Sequence, residues 1–156
     1  MEVMASSKTF LFEKMIESLS FEPTSCQKEM FLLLSKFITS NPDENWLMVI
    51  NGYAGTGKTS ALSALIKVLK KMSMRYILLA PTGRSAKVLS NFTGEKASTI
   101  HRHIYRQKSL EGGIGSFSLD INKSTDTIFI VDEVSLISSA KDVDSIFGSG
   151  DTLSDL

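Results

Sequence analysis

The segment Gly52-Tyr53-Ala54-Gly55-Thr56-Gly57-Lys58-Thr59 constrains this chain more than any other feature. It fits the pattern G-x-x-x-x-G-K-[ST], whose glycines let the backbone turn tightly and aim its N–H groups at phosphate oxygens. That pattern needs a strand before it and a helix after it. Residues 46–51 are a compact apolar run that predicts a buried strand. Residues 58–72 predict a helix, with Leu62, Leu65, Ile66 and Leu69 on one face and Lys67, Lys70 and Lys71 away from it. The start of this helix adds the positive end of its dipole to the loop. Gly52, Gly55, Thr56 and Gly57 would form the cradle, Lys58 would reach the β- and γ-phosphates, and the Thr59 hydroxyl would ligate magnesium. The expected ligands are a nucleoside triphosphate, read as ATP, and Mg2+.

A second element is Ile128-Phe129-Ile130-Val131-Asp132-Glu133, which predicts a buried strand ending in paired carboxylates. Asp132 would hold the magnesium shell, directly or through water. Glu133 would orient and deprotonate an attacking water as a general base. Alone, such a pair reads as an ordinary strand end with exposed acids. The phosphate loop upstream in the same chain favours the catalytic reading. A glutamate next to the magnesium aspartate also favours an NTP hydrolase over a kinase, whose acceptor is a hydroxyl.

Helices are expected at 9–19 and 25–39, the second with Met30, Leu33, Leu34 and Phe37 at three- and four-residue spacing. A buried strand is expected at 76–80, short helices at 84–92 and 98–106, and a third strand at 127–131. Residues 107–127, with Gly112, Gly113 and Gly115, predict a loop or weak hairpin, and 152–156 the start of a helix. Strands alternating with helices point to an α/β fold with a parallel sheet sandwiched by helices. The expected division is 1–45 as N-terminal helices and 46–156 as an incomplete P-loop domain.

With 156 residues, 42% hydrophobic and 22% charged, the chain has material for a packed core. Its 17 basic and 17 acidic residues balance, which neither supports nor excludes a nucleic-acid partner, because local clustering of charge decides that. A single cysteine, Cys26, rules out an internal disulfide and a cysteine-based zinc site. Lys8, Glu13, Lys14 and Glu17 interrupt any signal peptide, and the apolar runs are too short to span a membrane. A soluble, cytoplasmic protein is expected.

Between the two elements lie Leu79-Ala80-Pro81-Thr82-Gly83-Arg84-Ser85-Ala86-Lys87 and Ser98-Thr99-Ile100-His101-Arg102. They resemble motif Ia and its downstream companion in superfamily 1 DNA helicases of the RecD-like group. Residues 131–137, Val-Asp-Glu-Val-Ser-Leu-Ile, resemble that group's motif II, and Gln27 resembles its adenine-reading glutamine. The resemblance covers most of residues 21–138. It implies a RecA-like P-loop fold, and ATP hydrolysis driving 5′→3′ translocation on single-stranded DNA and unwinding at single-strand/duplex junctions. It also implies that Thr82, Gly83, Arg84, Thr99 and His101 lie along a single-stranded DNA groove. Hydroxyls, helix-start N–H groups and a guanidinium suit such a groove, since they bind phosphate without reading sequence.

The family continues with a Gly-Asp…Gln motif and a second RecA-like domain carrying an arginine finger. The chain is therefore expected to be the N-terminal part of a longer helicase. Two other readings stay open: a non-catalytic Mg-ATP- and DNA-binding remnant, and a P-loop ATPase outside the helicases. Singly, Thr82 reads as a helix cap and Arg84 as a solvated cation. His101 and His103 are two apart and diverge on a helix, so they make a poor metal pair.

Overall fold

The computed structural model describes residues 2–40, 47–53, 55–107, 117–137 and 147–156. They fall into two compact units, residues 1–74 and 75–156. The expected division near residue 45 lies outside the described residues.

The first unit is built from three helices: α1 (Glu2–Glu17), α2 (Ser25–Thr39) and α3 (Lys58–Lys71). Thr24 caps α2 through a reciprocal box with Gln27. The buried stripe of α2 is Gln27, Phe31, Leu34 and Ser35, and Leu33 is half exposed. The face is thus rotated by about one residue from the one its apolar spacing suggests. α1 packs on both α2 and α3, burying Leu11 and Met15. Along α3, Ala61, Ala64, Leu65, Ile66, Val68 and Leu69 are buried, while Lys67, Lys70 and Lys71 remain outside as expected.

The expected strand at 46–51 does not form. Residue 46 lies outside the described residues, and 47–53 carry no strand structure. Leu47 is 87% and Val49 77% exposed. An apolar run becomes a strand only where another backbone meets its N–H and C=O groups, and no described strand pairs with this one.

In the second unit, β1 (Arg75–Ala80), β2 (Ala97–Thr99) and β5 (Thr127–Val131) form a parallel sheet in the order β2-β1-β5. α4 (Gly83–Thr93) is the crossover from β1 to β2 and packs on both. Its left-handed end at Gly94 (φ +72°) closes the helix. Leu78, Leu79 and Ala80 of β1, Ala86 and Leu89 of α4, and Ile100 form the core. All five β5 residues are only half-buried, short of the full burial expected, because β1 is the only ladder neighbour of β5 among the described residues.

Residues 98–106 are not one helix. Ala97–Thr99 joins the sheet, α5 takes Ile100–Ile104, and β3 (Tyr105–Gln107) pairs antiparallel with β4 (Phe117–Leu119). The hairpin alternative for this region thus holds for its stems, and its glycine-rich tip lies outside the described residues. α6 (Thr152–Asp155) is the expected terminal helix. The architecture is mixed α/β with a parallel sheet flanked by helices, that of a RecA-like P-loop domain. No helix among the described residues is long and apolar enough to cross a membrane.

Candidate nucleotide-binding site

In the phosphate loop, Gly55 (φ +79°) and Gly57 (φ +84°) adopt the left-handed conformation that disfavours side chains. Gly57 is the N-cap of α3 and has no side chain to occupy the helix's first N–H groups, which leaves that end suited to an anion. Thr56 closes a turn onto Tyr53, its hydroxyl donating to the carbonyl across 2.8 Å. Lys58 curls back over the loop, its ammonium donating to the carbonyls of Gly52 at 2.5 Å and Tyr53 at 2.7 Å. A β-carbon on Gly52 would meet Thr56 Oγ1 at 3.3 Å and Lys58 Cδ at 3.7 Å, so the loop is wrapped closely around its lysine. Thr59 follows at the start of α3, exposed. Ala54 lies outside the described residues.

In the second unit the registers Leu79↔Val131 and Ala80↔Thr99 bring three strand ends to one edge of the sheet. The Asp132 N–H donates to the Leu79 carbonyl at 3.0 Å, extending the ladder by one step. Asp132 Oδ1 accepts the Glu133 N–H at 3.0 Å. Glu133 itself is left-handed, at φ +55°. Such a conformation is strained in a non-glycine residue, and strain of this kind gathers at functional sites. Thr82 caps α4 in a box with Ser85, and Thr99 caps α5 by accepting the Arg102 N–H at 3.2 Å. Thr82, Gly83, Arg84, Thr99, Asp132 and Glu133 therefore follow the carboxyl ends of parallel strands, where ligands of open α/β sheets bind.

A family profile described as AAA domain matches residues 35–148, which include the loop and Asp132-Glu133. The chain belongs to this AAA domain family. It is similar to the ATP-dependent RecD2 DNA helicase of Deinococcus radiodurans, at 33% identity over 94 residues, 60% of this chain and 12% of that protein. It is also similar to the ATP-dependent DNA helicase dda of Enterobacteria phage T4, at 39% identity over 79 residues, 50% of this chain and 17% of that protein. The matches thus span less than a fifth of either relative. No solved structure matches the chain significantly. These similarities make the AAA domain a superfamily 1 helicase-like P-loop domain.

Arg84 is exposed at the start of α4. The His101 ring lies 5.5 Å from Tyr105 and 5.0 Å, edge-on, from Phe147, with Nε2 3.4 Å from the Thr152 hydroxyl. Cys26 is a free, exposed thiol. Sequence reasoning missed a cleft of about 530 Å³ between α4, β2 and α5, a size typical of ligand sites. Gly83 and Thr99 line it together with Lys87, Lys96, Arg102 and His103, and no carboxylate does. Among the described residues none of these three cations is held in an ion pair. A signal was present: from residue 82 to residue 94 the chain has basic side chains and no acidic one.

Proposed function

We propose that this AAA domain is the ATP-binding and hydrolysis half-site of a DNA helicase, whose full-length protein couples hydrolysis to 5′→3′ translocation on single-stranded DNA. The observation that carries the reading is the loop around Lys58: two left-handed glycines, an uncapped α3 and an ammonium gathered over the loop carbonyls. Lys58 and the first amides of α3 would bind the β- and γ-phosphates. The Thr59 hydroxyl and the Asp132 carboxylate are hard oxygen donors of the kind magnesium takes. Bound magnesium would offset charge developing on the transferred phosphoryl group. Glu133 would hold and deprotonate the attacking water. Gly83, Thr99, Lys87, Lys96 and Arg102 would hold the DNA backbone, a sequence-independent contact.

The chain is expected to bind Mg-ATP through this loop and single-stranded DNA through the basic cleft. Titrating the chain with Mg-ATP and with oligo-dT over a salt series tests both halves. Lys58→Ala should abolish measurable Mg-ATP binding. The triple variant Lys87→Ala, Lys96→Ala, Arg102→Ala should lower the salt slope of oligo-dT binding by about 2, the value for three lost single-strand phosphate contacts. Mg-ATP binding indifferent to Lys58 would overturn the nucleotide site. An unchanged salt slope would overturn the DNA path.

A further inference from the structure

The side chain of Gln27 serves two elements at once. Its Oε1 accepts the Thr24 N–H at 3.0 Å, and the Gln27 backbone N–H donates to Thr24 Oγ1 at 3.3 Å, which closes the cap of α2. Only 6% of the residue is exposed. The other end of the carboxamide lies against the phosphate loop: a β-carbon on Gly57 would collide with Gln27 Nε2 and stand 3.6 Å from its Cδ. Gly57 is the left-handed residue that starts α3 and immediately precedes Lys58.

We propose that Gln27 is a positioning residue of the phosphate loop, its carboxamide locked by the α2 cap and seated against Gly57. This departs from the adenine-reading role that the resemblance implies, and it rests on the nucleotide reading above. The physical argument is one of committed groups. One carboxamide oxygen is engaged by the backbone of its own helix, the amide nitrogen abuts the loop, and little surface remains for an incoming base. The cap removes the rotamer freedom of a long side chain, so the nitrogen is a fixed stop rather than a mobile contact. Gly57 is then required twice, by its φ and by the space the carboxamide fills.

The two roles separate by ligand. A base reader acts on ATP alone, whereas a loop-positioning residue acts on any triphosphate. The test measures affinity of the full chain for Mg-ATP, Mg-GTP and inorganic tripolyphosphate with magnesium, in the unaltered protein and in Gln27→Ala, Gln27→Glu and Thr24→Ala. Gln27→Ala removes the stop against Gly57 and should weaken all three ligands by a common factor of about three to ten, up to one tenfold step in affinity. Gln27→Glu keeps the acceptor for the Thr24 N–H, and so the cap, and should weaken all three at least as much. Thr24→Ala removes only the hydroxyl half of the cap; it should lower the thermal midpoint and leave all three affinities within twofold. Loss confined to ATP would overturn the proposal in favour of base reading. So would unchanged affinities in both Gln27 variants, or equal losses in Thr24→Ala. Failure of the unaltered chain to bind tripolyphosphate or ATP would overturn the nucleotide reading itself, and this proposal with it.

Discussion

The Tyr105 hydroxyl donates to the Asp155 carboxylate across 2.6 Å, joining residues 50 apart in the chain. Asp155 also accepts the Ser149 N–H at 2.9 Å, so one carboxylate ties α6 and the preceding turn to β3. Burial, reinforced by this carboxylate, pushes the Tyr105 phenol up to about 12 from its ordinary 10.0. Burial works against ionisation of Asp155, but the Tyr105 hydroxyl and Ser149 outweigh it and hold its carboxyl below the usual range. A raised phenol favours the folded state below the unfolded value and loses that contribution as pH climbs. The stability advantage of the native chain over Tyr105→Phe should be steady from above the carboxylate range up to pH 10, shrink between pH 10 and about 12, and shrink in acid as Asp155 is protonated. Urea unfolding of both proteins at stepped pH measures it. Parallel pH profiles would show that the pair does not titrate as described.

Gly83 offers a second prediction. Its φ is outside the left-handed region and a β-carbon there would meet nothing within 4 Å, so no contact among the described residues demands glycine. Alanine is the better helix former by up to about 1 kcal/mol. Gly83→Ala should therefore keep or raise the thermal midpoint. If a DNA backbone runs close over α4, the added methyl should still weaken oligo-dT binding, by about tenfold or more for a direct clash. Unchanged affinity would move the DNA path away from this helix start.

Glu133 couples chemistry to strain. Its φ of +55° disfavours glutamate, whereas asparagine tolerates the left-handed region. Glu133→Asn should stabilise the fold by about 1 kcal/mol while removing the carboxylate proposed as general base. Chemical denaturation reads the first effect. ATP turnover, expected to fall by about a hundredfold or more, reads the second. A destabilised variant with full turnover would contradict both parts.

Much of the fold was legible in the chain. The α2 and α3 spans, β1, β5 and the helix opening at residue 83 follow from apolar period, capping residues and Gly94. The errors share one cause. Residues 47–51 look like a strand by composition, yet strand formation depends on a neighbour that composition does not reveal. Residues 98–106 are expected to be helical, yet the pull of β1 on one side and β4 on the other leaves α5 only five residues. In α2 the buried face takes in Gln27 and Ser35, which an apolar count leaves outside.

By itself the sequence determined the chemistry of the phosphate loop, because that chemistry is local. Glycines at 55 and 57 set the backbone, and Lys58 is close enough in the chain to fold over it. The order of Lys58, Thr82, Thr99 and Asp132 along the chain was equally open to reading. Tertiary structure alone decided what surrounds each group. It buried Gln27 against Gly57, packed His101 against Tyr105 and Phe147, and gathered Lys87, Lys96 and Arg102 around one cleft. Those outcomes depend on which distant segments share a packed core, and side-chain burial and convergent charge exist only after that packing has formed.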